Sequence, residues 1–215
     1  MGLLDRLTSK RPEPETHQRS AGAAEQSLFA TKALGTFLRV LTLREAPVLL
    51  DLGPVVGPNV GFFGEHLGCK IFVDDVCAEI ERHVRANTLA DLPEAIGARC
   101  SHADASVDGI LAWDVFDYLD KASAHVLGRE LTRILRPDGA LLGFFGNVPP
   151  KEQPSTYTKY VIVDESTLRH RPYPGARERQ PVLATRDIIR LFDGLRVSDS
   201  FFMKNNVREI LFRKT

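Results

Sequence analysis

Four short apolar runs, each followed by a stretch of helical composition, limit the folds that this chain can adopt. The runs are residues 48–52, 70–73, 108–113 and 140–145. Runs of this length without polar alternation are typical of strands buried on both faces of a sheet. Strands that alternate with helices predict right-handed crossovers and a mostly parallel sheet with helices on both sides. The sequence therefore predicts an α/β fold with a doubly wound sheet.

The segments around these runs predict the remaining elements of that fold. Apolar residues recur every three or four positions in 25–44, and 78–89 and 121–135 also have helical composition. Pro137 and Gly139 end the last of these helices and turn the chain into the fourth strand. The span 89–106 is the least regular, and we expect a short edge strand near 98–102.

The pattern changes after Gly146, where an inserted β-hairpin is predicted. Its strands are 157–163 and 167–173, on either side of a short polar loop, within an insertion that spans 147–183. Thr185 is expected to cap the helix that follows it, because its hydroxyl can accept a hydrogen bond from an unpaired amide. Two closing strands, over 195–203 and 207–213, form a second hairpin.

Length and composition limit the domain organisation and the classes of partner. A chain of 215 residues, of which 43% are hydrophobic, can bury one sizeable core, so we expect one domain over 25–215. The polar span 11–24 contains two prolines and no apolar period, which predicts a flexible arm over 1–24. Lys plus Arg and Asp plus Glu number 28 each, so no net charge favours nucleic acid.

Cysteine usage and hydropathy predict a cytoplasmic protein. Cys69, Cys77 and Cys100 show neither a CxxC pair nor paired metal-ligand spacing, which favours reduced packing residues. The six histidines show no metal-ligand spacing either, so no metal site is predicted. No segment approaches the roughly 20 apolar residues of a membrane span, and we expect no transmembrane segment.

Acidic residues follow the first two strands, at the edge where parallel sheets bind ligands. The first strand ends at Asp51 and Gly53, and the second delivers Asp74 and Asp75 about twenty residues later. An acid at that separation can reach a ribose hydroxyl, so one interpretation is a nucleoside cofactor across two strand tips. The alternative is that Asp51 bonds its own loop and that the aspartate pair merely ends an edge strand.

Two later segments carry a resemblance to a known family. HADASVDGILAWDVFDYLD, 102–120, and RELTRILRPDGALLGFFG, 129–146, resemble the second half of class I S-adenosylmethionine-dependent methyltransferases of the type 11 kind. The helix end, the turn and the next apolar strand follow in the family's order, with Asp138 replacing the first glycine of the usual pair. The resemblance covers roughly 49–145. It implies a Rossmann-like, mostly parallel sheet of seven strands with a C-terminal antiparallel strand.

The resemblance also implies methyl transfer from S-adenosylmethionine to an acceptor, which we expect to be a small molecule. Asp51 and Gly53 match the start of the loop that approaches the methionine part of that cofactor. Asp75, or its neighbour Asp74, matches the acid that pairs with the ribose hydroxyls. Trp113 matches the tip of the fourth strand, beside the transferred methyl group.

The loop after the first strand departs from the family's alternating glycines. Gly57 stands four residues after Gly53, and two prolines, Pro54 and Pro58, remove amide donors. Gly57 or Asn59 remains able to hold the cofactor's carboxylate and amine. Two hypotheses therefore stand: an active methyltransferase, and a catalytically inactive methyltransferase-like interaction module. Asp104 falls in the loop that usually flanks the adenine.

Methyl transfer needs few residues, because the sulfonium is already activated and alignment supplies much of the rate. No obligatory catalytic residue is therefore predicted. Where the acceptor needs a base, the candidates are Asp114, Asp117 and Tyr118. The alternatives are that Asp117 caps the following helix and that Tyr118 packs in the core.

The inserted hairpin is rich in cations. Arg169, His170 and Arg171 lie together in its second strand, and Arg177 and Arg179 follow closely. Guanidinium groups suit carboxylates and phosphates, so this hairpin is a candidate docking site for an acidic substrate or an acidic protein partner. The alternative is a solvated face whose charges discourage edge pairing.

Overall fold

The computed structural model describes residues 27–149 and 156–215, and the predicted arm over 1–24 lies outside the described residues. The strands are β1 Ser27–Ala30, β2 Val48–Asp51, β3 Lys70–Val73, β4 Val107–Trp113, β5 Leu135–Gly146, β6 Thr156–Asp164, β7 Thr167–Pro174, β8 Leu195–Phe202 and β9 Val207–Lys214. The helices are α1 Leu34–Thr42, α2 Gly57–Gly61, α3 Val76–Ala86, α4 Leu92–Arg99, α5 Lys121–Ile134 and α6 Thr185–Leu191.

The predicted doubly wound α/β sheet is confirmed. The expected count of seven strands is not confirmed, since within 27–149 and 156–215 the main sheet has six, in the order β3-β2-β4-β5-β9-β8. Strands β3, β2, β4 and β5 are mutually parallel. β9 runs antiparallel to both β5 and β8, as the C-terminal hairpin prediction requires. The expected edge strand near 98–102 is not formed. Helix α4 runs through 92–99, with Leu92 and Ile96, four positions apart, both buried, and residues 100–102 are neither strand nor helix.

Each face of the main sheet packs on its own hydrophobic cluster. Helices α3, α4, α5 and α6 cover one face through buried residues such as Ile80, Leu127 and Ile188. Helix α1 and a small three-stranded sheet, with the order β1-β7-β6, cover the other face. The inserted hairpin thus forms two strands of a separate layer above the main sheet. That layer lies against the tips of the central strands.

The helix expected over 25–44 is only partly correct. Ser27–Ala30 is strand β1, which pairs antiparallel with β7 in the inserted hairpin. Helix α1 begins later, and the buried carboxylate of Glu209 on β9 accepts hydrogen bonds near its start. These come from the amides of Lys32 at 2.8 Å and Ala33 at 2.9 Å and from the hydroxyl of Thr31 at 3.1 Å. The partner of β1 and this acceptor are both more than 130 positions away in sequence, so local periodicity could not indicate them.

Two helix-end predictions have different outcomes. Asp138 lies in the turn before the paired part of β5 with φ of 61°, a left-handed conformation that Asp tolerates better than most residues. Asp can therefore stand where the family has glycine. Thr185 is not the cap of α6, because Ala184 holds that position without a side-chain bond. The Thr185 hydroxyl instead accepts a hydrogen bond from Arg208 Nη1 at 2.6 Å.

Replacing Gly128 with Ala is expected to destabilise the fold. Its new Cβ would lie 2.2 Å from the backbone oxygen of Leu191, so α5 and α6 would have to move apart. Overpacking of this kind typically costs about 1–3 kcal/mol in the free energy of unfolding. Gly97→Ala in α4 is the matched control, since its Cβ would meet Val126 at an ordinary 3.5 Å. The control should be neutral or more stable by up to about 1 kcal/mol. Urea denaturation with equal losses in both variants would contradict this.

Candidate functional site

The tips of β2 and β4 meet at a buried carboxylate. Asp51, the last residue of β2, is 5% exposed. Its Oδ1 accepts hydrogen bonds from the amide of Gly53 at 2.9 Å and from the indole Nε1 of Trp113 at 2.7 Å. Burial raises the pKa of Asp51 to about 6, although both hydrogen bonds act in the opposite direction. The predicted residues Asp51, Gly53 and Trp113 are therefore in direct contact.

The indole of Trp113 fills the space above Gly53. A Cβ placed on Gly53 would lie 2.8 Å from Trp113 Cδ1, so glycine is the residue that fits beneath the ring. Trp113 has φ of 46°, an uncommon conformation for a bulky residue. Such strain persists where surrounding contacts determine it, and here it orients the ring towards the tip of β2.

Tyr160, on strand β6, covers the other side of the indole. The rings of Trp113 and Tyr160 stack with centroids 5.0 Å apart and an interplanar angle of 3°. His170 on β7 lies edge-on to Tyr160 at 4.8 Å, and Phe29 on β1 stacks on His170 at 4.0 Å. Burial lowers the pKa of His170 to about 4, so its ring is neutral near pH 7. All three strands of the small sheet therefore contribute rings to one aromatic column.

The loop after β2 is attached to the inserted hairpin through Asn59. The side-chain amide of Asn59 donates to the carbonyl oxygen of Tyr160 at 2.8 Å and accepts from the amide of Ile162 at 2.9 Å. Asn59 is 3% exposed, and both polar atoms of its side chain bind the backbone of β6. Gly57 is open, with no heavy atom within 4 Å of a Cβ placed on it. Whether either residue binds a cofactor remains a prediction.

The two candidate ribose acids lie at the tip of β3, beside the tip of β2. The Asp74 amide donates to the carbonyl oxygen of Asp51 at 2.8 Å, which joins the two strand ends. The Asp74 carboxylate pairs with Arg99 of α4, whose Nε donates to it at 2.8 Å. Asp75 caps α3 by accepting from the Ala78 amide at 2.9 Å. Both carboxylates thus have partners within the chain, and their binding of ribose remains a prediction.

Beyond the tip of β4, one arginine, whose side chain is 14% exposed, lies between two aspartates. Arg179 pairs with Asp114 at 2.6 Å and also with Asp117, which accepts from the Gly146 amide at 2.8 Å. Two carboxylates face a single guanidinium, so the three side chains together carry a net charge of one negative unit when both aspartates are ionised. Burial raises the pKa of both aspartates, and that of Asp117 reaches about 7. Arg179 is therefore engaged by these two aspartates and is not part of the cationic surface of the hairpin.

Tyr118, the other candidate base, is completely buried. Its hydroxyl donates to the carbonyl oxygen of Thr156 at 2.7 Å, and burial raises the pKa of the phenol. Asp104 lies before β4, at the opposite end of that strand from Trp113, and pairs with Arg133. Neither Tyr160 nor the pairing of Arg179 with the two aspartates was predicted from the sequence. The aromatic-rich strand of the insertion was the only local signal of the former.

Among the described residues, no group of three histidines, cysteines or acids is arranged to hold a metal ion. No helix in 27–149 or 156–215 has the length and apolar content needed to cross a membrane. The three cysteines are all buried, and burial raises the pKa of the Cys69 and Cys100 thiols to about 11. The predicted cytoplasmic location remains a prediction.

Comparisons with known proteins find similarity in structure alone, since no family model and no curated protein matches the chain. A putative sarcosine dimethylglycine methyltransferase from Galdieria sulphuraria superposes with a TM-score of 0.51 at 14% identity, covering 85% of this chain and 84% of that one. A Burkholderia thailandensis 1,6-didemethyltoxoflavin-N1-methyltransferase, solved with S-adenosylhomocysteine, gives 0.49 at 16% identity over 85% and 78%. A putative type 11 methyltransferase from Sulfolobus solfataricus gives 0.44 at 19% identity over 84% and 91%. The similarity to the Galdieria sulphuraria structure shows the fold of this chain.

Asp117→Asn is expected to change how stability depends on pH. The folded pKa of Asp117, about 7, lies above its ordinary value of 3.8, so the unfolded chain releases this proton first. The wild-type group therefore lowers the free energy of unfolding progressively between about pH 4 and pH 7, whereas Asn retains one acceptor and no charge. Relative to the wild type, the variant should gain stability from pH 5 to pH 8 in urea titrations. Asp187→Asn, at a partly exposed position of α6, is the control. Parallel pH profiles for the wild type and Asp117→Asn would contradict this.

Proposed function

We propose, from the premise that this chain has the fold of class I S-adenosylmethionine-dependent methyltransferases, that it is a protein-binding module whose donor crevice is closed. The observation that carries the proposal is the indole of Trp113, which lies on Gly53 and is held by Asp51. In the family this is the space that receives the methionine part of the cofactor. The contact of the indole with Gly53 supports the proposal that the chain's own side chain fills this space.

The residues at the strand tips do not fit that part of the cofactor. A cofactor approaching Gly53 must displace the Trp113 ring, which separates it from Tyr160 and removes one hydrogen bond from buried Asp51. Each aromatic side chain of this kind buries about 150–250 Å². At about 25 cal/mol per Å², exposing the pair costs several kcal/mol, which cofactor binding would have to exceed.

Methyl transfer from S-adenosylmethionine to a small-molecule acceptor is the second candidate function. Two observations favour it: Asp75 lies at the tip of the strand next to β2, and Gly57 has open space beside it. In this alternative, Asp74 or Asp75 binds the ribose and the indole moves aside. Asp114 is a poor base there, because its buried carboxylate is already paired with Arg179 at 2.6 Å.

The docking surface of the proposed module is one face of the inserted hairpin. Lys159 and Arg171 are direct cross-strand partners, and Arg169 lies two positions from Arg171 on the same face. No carboxylate of the described residues forms an ion pair with any of the three. The Arg171 Nε is buried without a hydrogen-bond partner in the described part of the chain. Like charges opposite one another destabilise a sheet, so an external anion would reduce the repulsion between Lys159 and Arg171.

The partner that fits this face is an acidic protein segment. Three half-buried cations within two strands match a short run of carboxylates, which guanidinium groups bind with two parallel hydrogen bonds. The net charge of the whole chain is +0, so no broad field extends the patch along a nucleic acid. His170 does not belong to this surface, because its ring packs inwards on Tyr160.

The wild-type protein is expected not to bind S-adenosylhomocysteine. Trp113 is the only tryptophan of the chain, so its emission reports directly on the crevice. We expect no heat in calorimetric titration, no change in emission and no cofactor in protein purified from cells. Tyr160→Ala, which removes the stacking partner, should shift the emission to the red and thereby validate the reporter. Stoichiometric binding with a red shift in the wild type would overturn the closed crevice and favour methyl transfer.

Charge reversal on the hairpin face is expected to weaken binding of an acidic peptide. A fluorescein-labelled deca-glutamate peptide is the probe, and Arg169→Glu with Arg171→Glu should weaken its binding at least about tenfold. Arg129→Glu with Arg186→Glu changes the net charge equally at exposed sites elsewhere and should leave the affinity nearly unchanged. Equal losses in the two double variants would contradict a specific face. Tighter binding of a single-stranded RNA than of the peptide would also contradict it.

A further inference from the structure

A cavity lies between the start of α5 and helix α6, away from the aromatic column. Its volume is about 680 Å³, within the range of about 300–1,000 Å³ that small-molecule sites occupy. The turn before α5 and the loop before α6 complete its walls. None of the residues discussed for the cofactor or for the hairpin face lines it, so it is separate from both.

The floor of this cavity is apolar. Its hydrophobic walls are formed by Phe116, Leu119, Ala124, Leu183 and Leu191. Phe116, Leu119, Ala124 and Leu191 belong to the core cluster on this side of the sheet, so the floor is held by the packing of the fold itself. A hydrocarbon chain or an aromatic ring placed there would remove apolar surface from water, which is favourable by about 25 cal/mol per Å².

The rim of the cavity carries charges of both signs, but they differ in their partners. The Asp120 carboxylate accepts from the amide and hydroxyl of Ser123 at 3.0 and 2.9 Å, and Asp187 faces Arg190 at 3.4 Å. Lys121 and His125 lie four positions apart on α5. Their side chains have no ion-pair or hydrogen-bond partner in the described part of the chain. Residues four apart lie on one face of a helix, so both can reach a single anionic group.

We infer that this cavity binds an amphipathic carboxylate. Its aliphatic or aromatic body would lie on the apolar floor, and its carboxylate would pair with the Lys121 ammonium and accept from the His125 ring. The first turn of a 14-residue helix adds a positive electrostatic potential at the same place. The inference goes beyond the proposed function, because it holds whether the donor crevice is open or closed.

The test uses the full chain and the fluorescent probe 8-anilinonaphthalene-1-sulfonate, an aromatic anion. The probe should bind the folded protein with enhanced emission, and micromolar dodecanoate should displace it. Dodecanol and dodecyltrimethylammonium have the same hydrocarbon chain with a neutral and a cationic head. They should compete at least about tenfold more weakly than dodecanoate, because only the carboxylate pairs with Lys121.

Lys121→Glu locates the site. Glu is well tolerated in the first turn of a helix, so the variant should keep the wild-type unfolding midpoint. It should lose at least about tenfold in affinity for dodecanoate while Lys204→Glu, at the exposed turn between β8 and β9, retains it. Absence of probe binding, equal competition by the three head groups, or unchanged dodecanoate affinity in Lys121→Glu would each overturn the inference.

Discussion

The carboxylate of Asp51 is the point on which the arrangement above the sheet depends. It lies at the tip of a central strand, nearly excluded from water, and uses one oxygen to bind both its own loop and the indole of the neighbouring strand. Burying this charge is costly, which is why its pKa rises. Each donor that lost this acceptor would be left unsatisfied at a cost of about 1–3 kcal/mol. The position of Trp113, and through it the stacking of Tyr160, follows from this one acceptor.

The sequence was sufficient for elements whose determinants are local. The apolar runs at β2, β3 and β4 and the helical composition of α5 are each contained within a short window, and their alternation indicates a mostly parallel sheet. Local sequence patterns were insufficient where the structure of a segment depends on a residue distant in the sequence. Strand β1 has helical periodicity, but its partner is β7, and the start of α1 is completed by Glu209 from the last strand. No local pattern carries such information.

The candidate site shows the same division. Asp51 and Gly53 were predicted from their position at a strand tip and Trp113 from the family resemblance, and the three do meet. The aromatic stack above them also requires Tyr160, which lies in the insertion, more than 40 positions after Trp113 in the sequence. Methyl transfer imposes no obligatory catalytic side chain, so the presence of the fold does not by itself decide between the two candidate functions. Fold and activity are therefore separable questions in this scaffold.

The attachment of Asn59 to β6 has a consequence for assembly. β6 is an outer strand of the small sheet, and such strands present free amides and carbonyls to which another chain can add. The carboxamide of Asn59 bonds to the carbonyl of Tyr160 and the amide of Ile162, much as a neighbouring peptide group would. A single side chain thereby occupies backbone groups in the middle of β6 that an added strand would need. The same contact that fastens the loop protects the hairpin against strand-to-strand aggregation.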